Sequence, residues 1–355
     1  VDKCIADTSL LAEILLQKYE YHVPFYRQIQ QYRHLGMKGL TASTLDGWFK
    51  KTVELLKPLY EELKREVFSC DYVQADETTV PVINREKHKA DKEYLWMVRS
   101  VMEKLVIFHY DGGSRAGAVI ESLANQYNFK GYLQCDGFAG YETAFKANPD
   151  VRLLNCLVHI RRHFEQALDE NREMAQHALT QIQHIYKIER QCDEAGLSYD
   201  ERRQTRQELS RPIMEAMKVW METEGIKYSP SSLTGKAITY AYTKWDNIMR
   251  CLDDGRLYWD NNLAENVQRP ITLSRKNFLF CGNHEAAVNM SVICSLLATC
   301  KAHGVNPRVY LNDVIAQMPY HKKATQEELL NLLPHKWKLK HPECVLTRQK
   351  EESCN

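Results

Sequence analysis

The stretch Tyr72-Val73-Gln74-Ala75-Asp76 recurs sixty residues later as Tyr132-Leu133-Gln134-Cys135-Asp136. Both copies read tyrosine, aliphatic, glutamine, small, aspartate, which predicts a short strand with a carboxylate where the strand stops. Because side chains alternate across a strand, the tyrosine, glutamine and aspartate of each copy share one face. If the two strands lie parallel and adjacent, we expect the carboxylates of Asp76 and Asp136 about 5 Å apart. Two carboxylates that close repel each other unless a proton or a metal ion lies between them.

The composition is that of a globular protein. Of the 355 residues, 44% are hydrophobic and 26% are charged, and the net charge of +1 neither indicates nor excludes a nucleic-acid partner. No run of eighteen apolar residues occurs and residues 1–20 lack a signal-peptide pattern, so we expect neither a membrane span nor a membrane partner. Eleven cysteines without a Cys-x-x-Cys pair favour reduced thiols and a cytoplasmic location.

The N-terminal segment, residues 9–66, has apolar residues at helical spacing. Glycines in the stretch Gly36–Gly39 interrupt it, and Thr41 or Ser43 is a suitable cap for the helix that follows. Helix, glycine-containing turn and helix form the outline of a helix-turn-helix. Two interpretations remain open: a helical subdomain that packs on its neighbour, or a DNA-contacting module.

From Asp71 onward the apolar period changes to two, which predicts strands. The first strand is expected to run from Asp71 to Asp76, and the charged stretch Asn84–Lys92 is expected to be a loop. A helix from about Gly112 to Tyr127 and four more strands complete a mixed α/β sheet. These four strands are Tyr94–Val101, Lys104–Tyr110, Tyr132–Cys135 and Val151–Cys156. The first two of the four are expected to form a hairpin around Glu103.

The second half of the chain reads as mostly helical. Between Leu157 and Leu252, charged stretches such as Asp200–Gln204 are expected to face solvent. The small and apolar residues of Glu285–Lys301 predict a helix that packs on the sheet, whereas the polar, lysine-rich tail after Pro319 is expected to be only locally structured.

A third acid, Glu265, lies at the start of a predicted helix. Together with Asp76 and Asp136 it would supply three oxygen ligands of the kind that Mg²⁺ prefers. Two such ions can activate an attacking water and stabilise the leaving oxygen in phosphodiester chemistry. Structural alternatives stay open, because an aspartate that ends a strand is often a turn former and Asn262-x-x-Glu265 is also the pattern of a capping box.

The segment that follows the fifth predicted strand carries a Cys-x-x-His pair, Cys156 and His159. One interpretation is a zinc site with His163 as a third ligand, although a fourth ligand is missing. A structural role beside the active site is the other interpretation. Near a phosphate, His159, Arg161 and Arg162 would help to hold DNA.

Four ordered motifs carry a family resemblance. They are Gln74–Thr78, Tyr132–Tyr141, Cys156–Arg162 and Asp260–Asn266, the last continuing through Arg269-Pro270 to Arg275-Lys276-Asn277. This set resembles the transposases of the insertion-sequence 66 family over most of the chain, from near Leu10 to Leu333-Pro334.

The resemblance implies a ribonuclease H-like catalytic core in an α/β fold, with a long helical insertion and a preceding helix-turn-helix-like segment. The implied organisation is 1–66 for the helical segment, 67–166 and 256–315 for the two parts of the core, 167–255 for the insertion and 316–355 for the tail. Asp76, Asp136 and Glu265 match the catalytic and metal-binding triad of the family. Arg269, Arg275 and Lys276 look like contacts to DNA phosphates.

The implied function is that of a DNA transposase that cleaves transposon ends and transfers them into target DNA, using two Mg²⁺ ions for which Mn²⁺ could substitute. The expected partners are terminal inverted repeats, target DNA, further copies of the chain on DNA and accessory proteins encoded by the same element. The expected location is at the nucleoid. Competing interpretations are a ribonuclease H-fold nuclease and a catalytically silent DNA-binding remnant. Members of the family are longer at the N-terminus, so we expect the chain to be truncated there.

Overall fold

The computed structural model describes residues 5–346, which divide into two compact units. Within these residues, unit 1 comprises 5–130 and 263–346, and unit 2 comprises 131–262. The sequence of unit 1 is therefore interrupted by the whole of unit 2. None of the helices in the described part of the chain is long and apolar enough to cross a membrane.

Unit 1 begins with three helices, as the sequence predicts. They are α1 (Thr8–Tyr19), α2 (Phe25–His34) and α3 (Ala42–Ser69). Gly36 has a φ of +94°, in the left-handed region that favours glycine, and it separates α2 from α3. Thr41 is the cap of α3, because its hydroxyl accepts a hydrogen bond of 3.2 Å from the amide of Thr44.

Three antiparallel strands follow in unit 1, in the spatial order β3-β2-β1: β1 (Tyr72–Asn84), β2 (Lys89–Ser100) and β3 (Val106–His109). The predicted hairpin of the second and third strands is confirmed. The predicted end of β1 at Asp76 and the predicted loop at Asn84–Lys92 are wrong, since β1 and β2 pair from Val73 with Ser100 to Asn84 with Lys89.

The extension of β1 has a physical reason. Thr78, Val80 and Val82 are buried and alternate with more exposed residues, so the period of two continues beyond Asp76. The charged residues between Asn84 and Lys92 form the exposed end of this hairpin, where a polar composition is compatible with a strand. A fourth helix, α4 (Ala118–Gln126), closes this part of unit 1.

Unit 2 contains two parallel strands and a set of helices. The strands are β4 (Gly131–Cys135) and β5 (Val151–Asn155), paired in register from Gly131 with Val151 to Cys135 with Asn155. The helices are α5 (Ala139–Phe145), α6 (Leu157–Ala167), α7 (Arg172–Glu194), α8 (Tyr199–Thr205), a π-helical turn (Arg206–Ser210), α9 (Arg211–Gly225), α10 (Leu233–Met249) and a 3₁₀ turn (Arg250–Leu252). Antiparallel and parallel pairs both occur in the chain, so the predicted mixed α/β class is confirmed.

The chain then returns to unit 1 through α11 (Asn262–Phe278), which continues through Pro270. The remaining elements are α12 (His284–Ala302), α13 (Pro307–Gln317), a 3₁₀ turn (Met318–His321), α14 (Gln326–Leu332), α15 (Pro334–Lys340) and a second 3₁₀ turn (Pro342–Cys344). The tail is more firmly packed than expected, because Trp337 is buried and donates a hydrogen bond of 2.7 Å to Asp313.

The helix α12 packs on β3, as the sequence predicts, and it also covers the outer edge of that strand. The amide of Phe108 donates to the hydroxyl of Ser295 (2.8 Å), and the amide of Val106 donates to the hydroxyl of Thr299 (3.1 Å). These side chains are four residues apart, so they lie on one face of the helix. An edge strand otherwise presents unpaired backbone groups, and two hydroxyls of α12 satisfy them here.

We therefore expect Thr299→Val to destabilise the chain although valine has nearly the same shape. The substitution leaves the buried amide of Val106 without its acceptor, which costs about 1–3 kcal/mol. The midpoint of urea unfolding measures the loss. Thr143→Val is the matched control, because Thr143 is exposed and its hydroxyl bonds to a carbonyl of its own helix. Equal losses for the two variants would contradict the edge contact.

Candidate active site

The first candidate acid, Asp76, lies inside β1 rather than at its end. Its backbone is paired with Met97 of β2, and one of its carboxylate oxygens accepts a hydrogen bond of 2.9 Å from the amide of Glu77. The neighbouring carboxylate has a structural role, because Glu77 is nearly buried and forms an ion pair of 2.8 Å with Arg115. Asp76 is thus the half-buried acid on the face of β1 that it shares with Gln74.

The helix α11, which carries the candidate acid Glu265, is attached to β1 near both of its ends. In its first turn the amide of Ala264 donates a hydrogen bond of 3.2 Å to the side-chain oxygen of Gln74, and both residues are fully buried. In its last turn the guanidinium of Arg275 donates to the carbonyl oxygen of Thr79 at 3.0 Å. Asp76 lies between Gln74 and Thr79, so these contacts bring the strand of Asp76 and the helix of Glu265 together in unit 1.

The remaining candidate acid, Asp136, follows directly after β4 in unit 2, where the sequence predicts it. Its carboxylate accepts a hydrogen bond of 2.9 Å from the amide of Phe138, and its carbonyl oxygen accepts one of 2.9 Å from Asn155. The tight turn at Gly137 has no room for a side chain, since a Cβ there would lie 2.1 Å from the hydroxyl of Tyr240. Burial and the charge of Asp136 both raise the pKa of Tyr240.

Tyr240 was not identified by sequence reasoning. It lies on α10, in a region whose periodicity indicates only a helix, and its ring packs against His163 of α6 with centroids 4.1 Å apart. Burial lowers the pKa of His163, and the neighbouring His159 and Arg162 lower it further. The neighbourhood of Asp136 in unit 2 therefore includes a tyrosine and a histidine that are both held in their neutral forms at pH 7.

The residues that precede α11 are anchored in unit 2. The carbonyl oxygen of Tyr258 accepts a hydrogen bond of 2.7 Å from the side-chain amide of Gln134, and that of Trp259 accepts one of 2.8 Å from the amide of Leu157. The hydroxyl of Tyr186 donates to Asp260 at 3.1 Å. This segment was recognised in the sequence as a motif, but its role as an anchor is visible only in the structure.

The glutamines of the repeated pentapeptide have related roles. In unit 1 Gln74 accepts from a backbone amide, and in unit 2 Gln134 donates to a backbone carbonyl. A side-chain amide can do either, which a carboxylate or an ammonium group cannot. The face that Gln74 and Asp76 share was predicted from the alternation, but the partner of each glutamine is distant in sequence and could not be predicted.

A buried ion pair in unit 2 is bonded to residues that lie just before the segment Tyr258–Asp260. Arg206, which begins the π-helical turn, is fully buried and donates to both carboxylate oxygens of Glu189 at 2.7 and 2.8 Å. It also donates to the carbonyl oxygens of Cys251 (2.8 Å) and Asp254 (3.0 Å). The charged stretch around Arg202 is mostly exposed, as predicted, but Arg202 itself is bonded to Glu189 at 2.9 Å.

The Cys-x-x-His pair begins α6. Cys156 is buried at the helix N-terminus, and burial raises the pKa of its thiol to about 12. Within residues 5–346, no group of three or more His, Cys, Asp and Glu side chains lies close enough together to hold a metal ion. Nine cysteines of the described chain are free thiols, as predicted.

The predicted DNA-contacting residues differ in exposure. On α6, Arg162 is exposed, Arg161 forms an ion pair of 2.9 Å with Glu165, and His159 is partly buried. On α11, Arg269 and Lys276 are exposed. Arg275 is already bonded to Thr79, so a purely DNA-binding role, as expected from the sequence, does not account for it. The roles of all these residues in DNA binding remain predictions.

We expect Gln74→Leu to loosen the start of α11 while leaving the rest of unit 1 folded. The substitution leaves the buried amide of Ala264 unpaired, at a cost of about 1–3 kcal/mol. Hydrogen exchange, read by mass spectrometry, should therefore accelerate in peptides that cover residues 262–268. Gln31→Leu, on the exposed face of α2, is the control, and unchanged exchange at 262–268 in Gln74→Leu would contradict the contact.

The ion pair of Glu189 predicts a dependence of stability on pH. Burial raises the pKa of Glu189. The hydrogen bonds and the charge of Arg206 outweigh burial and hold this pKa below its usual value of 4.5. A carboxyl whose pKa is lowered in the folded state stabilises the fold above its unfolded pKa, and this contribution is lost as the pH falls through the folded value.

We therefore expect the natural chain to have a larger free energy of unfolding than Glu189→Gln. This difference should be constant from pH 7 to about 5 and should shrink below pH 4.5. Urea unfolding at several pH values measures it. Glu194→Gln, at an exposed position of the same helix, should show no comparable difference. An advantage of Glu189 that stays constant down to pH 3 would contradict this account.

Comparison with known proteins gives a consistent result. Residues 3–289 match the family described as "Transposase IS66 family", and residues 295–335 match the "IS66 C-terminal element". Relatives in Sinorhizobium fredii include the uncharacterized proteins y4jD, 30% identical over 95% of this chain and 67% of that protein, and y4hP, 29% identical over 93% and 62%. A third, y4qI, is 30% identical over 93% of this chain and 63% of its own length. The chain thus spans between three fifths and two thirds of the length of these relatives.

Proposed function

The chain belongs to the insertion-sequence 66 transposase family, and on that premise we propose that it carries the catalytic region of a DNA transposase with a ribonuclease H-like core. Asp76, Asp136 and Glu265 are the proposed catalytic acids. The recognition of transposon ends by the whole protein is part of the proposal, because the relatives are longer than this chain.

One observation carries the assignment of Glu265. The Glu265 helix is bonded to the strand of Asp76 through Gln74 and Thr79, on either side of the acid. The first amides of a helix have no partner within the helix, and the buried amide of Ala264 takes its acceptor from the strand of Asp76. The buried contact fixes the first turn of α11, and Glu265 belongs to that turn.

The proposed cofactor is a pair of Mg²⁺ ions, for which Mn²⁺ could substitute. The three acids supply hard oxygen ligands, which suit Mg²⁺ better than thiols do. When bound, the ions would polarise the phosphodiester and stabilise the charge on the entering and leaving oxygens. Asp76 and Glu265 belong to unit 1, and Asp136 belongs to unit 2.

The proposed reaction has two steps that balance without a protein nucleophile. In the first, water attacks the phosphorus at the transposon end, the 3′ oxygen of the transposon strand leaves, and a 5′ phosphate remains on the flanking DNA. In the second, the freed 3′ hydroxyl attacks a phosphodiester of the target, and the 3′ oxygen of the target strand leaves. In each step one proton passes from the attacking group to the leaving oxygen or to solvent.

The proposed DNA contacts are made by exposed cations on two helices. Arg269 and Lys276 on α11, and Arg161 and Arg162 on α6, are available to neutralise phosphates. Arg275 and His159 would act beside them, and α2 and α3 would supply a helix-turn-helix-like module. Joining two ends requires two active sites, so we propose a homo-oligomer on DNA, together with accessory proteins of the same element and a location at the nucleoid.

The direct test is strand cleavage and strand transfer by the purified chain on duplex DNA that carries the ends of the element, with Mg²⁺ or Mn²⁺. Each of Asp76→Asn, Asp136→Asn and Glu265→Gln should lower both activities by at least about a thousandfold, because each removes a ligand of the reacting groups. Asp169→Asn is the matched control, since this exposed carboxylate lies outside the proposed site. DNA binding should persist in all four variants.

Each other outcome contradicts a defined part of the proposal. Unchanged activity in Asp76→Asn or Glu265→Gln contradicts the assignment of these residues as catalytic acids. Cleavage without joining of the 3′ hydroxyl to a second duplex indicates a nuclease instead. Binding of the ends without any metal-dependent cleavage indicates a DNA-binding remnant.

A further inference from the structure

Unit 1 contains a pocket that the catalytic proposal does not use. It has a volume of about 80 Å³, opens to solvent, and lies among α1, the second half of β1, and the facing parts of α11 and α12. Aromatic and aliphatic side chains form most of its wall, and two cations and a thiol complete it. The lining residues that matter below are Lys18, Tyr19, Ile271, Arg275, Phe278 and Cys281.

Lys18 is a cation that aromatic rings surround. Its ammonium nitrogen lies 3.8 Å from the ring centre of Phe25 and 5.4 Å from that of Phe278, with Tyr19 and Phe49 each at 5.7 Å. Attraction to ring faces stabilises a cation but does not neutralise it.

The charge of Lys18 is not balanced by an ion pair in the part of the chain that the structure describes. Among the described residues, no carboxylate forms an ion pair with it, and the nearby Asp46 pairs with Lys50 instead, at 3.3 Å. Burial lowers the pKa of Lys18 to about 8, so the ammonium is still the main form at pH 7. A mostly buried charge without a counter-ion is costly, and an anion that entered the pocket would reduce that cost.

The rim of the pocket is built from strained backbone. Leu279 has a φ of +65°, unusual for a side-chain-bearing residue, and the amide of Phe280 bonds back to the carbonyl of Phe278 at 2.7 Å. The neighbouring Cys281 holds the turn in place through backbone bonds to Pro81 (2.8 Å) and Ile83 (2.9 Å) on β1. As a result, the side chains of Leu279 and Phe280 project into solvent, 64% and 48% exposed.

We propose that the mouth of this pocket binds one unstacked nucleotide of the bound DNA, with its base outside the cavity against Phe278 and the exposed rim and its phosphate inside, beside Lys18 and Arg275. The proposal deepens the proposed transposase function and rests on it. Aromatic rings stack on the face of any base, and neighbouring cations bind the sugar–phosphate backbone, which is the combination that binds single-stranded nucleic acid. An apolar peptide would fill the same walls but leave Lys18 without a counter-ion.

The position of the pocket along α11 is consistent with one continuous DNA. Glu265 is in the first turn of this helix and Phe278 is its last residue, thirteen residues later. At 1.5 Å per residue the two are about 20 Å apart, which corresponds to about six base pairs of duplex. We therefore expect the unstacked nucleotide about six positions from the phosphodiester that is cleaved.

The test uses Cys281 as a reporter of occupancy. The alkylation rate of Cys281 by iodoacetamide is measured by mass spectrometry with and without a deoxythymidine hexamer. Cys70 is an internal reference, because it is also half-buried in unit 1, lies outside the pocket, and has a pKa raised by burial to about 11, like that of Cys281. The hexamer should slow the alkylation of Cys281 at least about fivefold and leave Cys70 unchanged.

Variants distinguish binding of DNA in the pocket from non-specific attraction of DNA to positive charge. Lys18→Met and Phe278→Leu should each weaken binding of the hexamer by roughly five- to hundredfold and abolish the protection of Cys281. Lys323→Met removes the same charge at an exposed position outside the pocket and should preserve the protection. Asp76→Asn should preserve it too, so a failure of the catalytic proposal and a failure of this one are distinguishable.

Three results would overturn the nucleotide pocket. Equal protection by an abasic hexamer would mean that only phosphates are bound. Protection by N-acetyltryptophanamide but not by the hexamer would identify the pocket as a site for a protein segment. Unchanged protection in both Lys18→Met and Phe278→Leu would mean that the DNA lies elsewhere.

Discussion

The hydrogen bond between the amide of Ala264 and the side chain of Gln74 is the contact on which the placement of Glu265 depends. The chain leaves unit 1 at Lys130 and returns at Leu263, so the returning segment must find β1 again after 132 intervening residues. The buried amide of Ala264 bonds to Gln74, which favours one register of α11 on β1, because a shift would break this bond. In unit 2, Gln134 holds Tyr258 just before the same helix.

The helix α11 combines an acidic beginning with a basic and aromatic end. Glu265 lies in its first turn, and Arg275, Lys276 and Phe278 lie in its last. This polarity agrees with the helix dipole, which favours acids near the N-terminus and cations near the C-terminus. In the proposed function, Glu265 would bind metal at one end of this helix and Arg275, Lys276 and Phe278 would contact DNA at the other, so one helix would determine the spacing between chemistry and DNA binding.

Much of the fold could be predicted from local patterns, and the failures have physical causes. The period of two identified the strands around Asp76 and Asp136, and the two candidate caps, Thr41 and Ser43, placed the start of α3 to within two residues, because these signals are local. The length of β1 was underestimated because charged residues in an exposed hairpin resemble a loop. Gln74, Gln134 and Tyr240 were not assigned their roles, since each acts through a partner more than 100 residues away or on another element. Glu265 has no counterpart in the repeated pentapeptide. Its spacing fitted both a metal ligand and a capping box, and the family resemblance favoured the ligand.

The central claim is that Asp76, Asp136 and Glu265 bind the same metal ions, and the most direct measurement is to map those ions on the chain. Fe²⁺ that takes the place of Mg²⁺ generates hydroxyl radicals with ascorbate and peroxide, and these cut the backbone next to the bound ion. With DNA ends bound, the account predicts cuts near residues 76, 136 and 265 that excess Mg²⁺ suppresses and that Asp76→Asn abolishes. Cuts confined to the region of Cys156 and His163, or no cutting that Mg²⁺ suppresses, would contradict it.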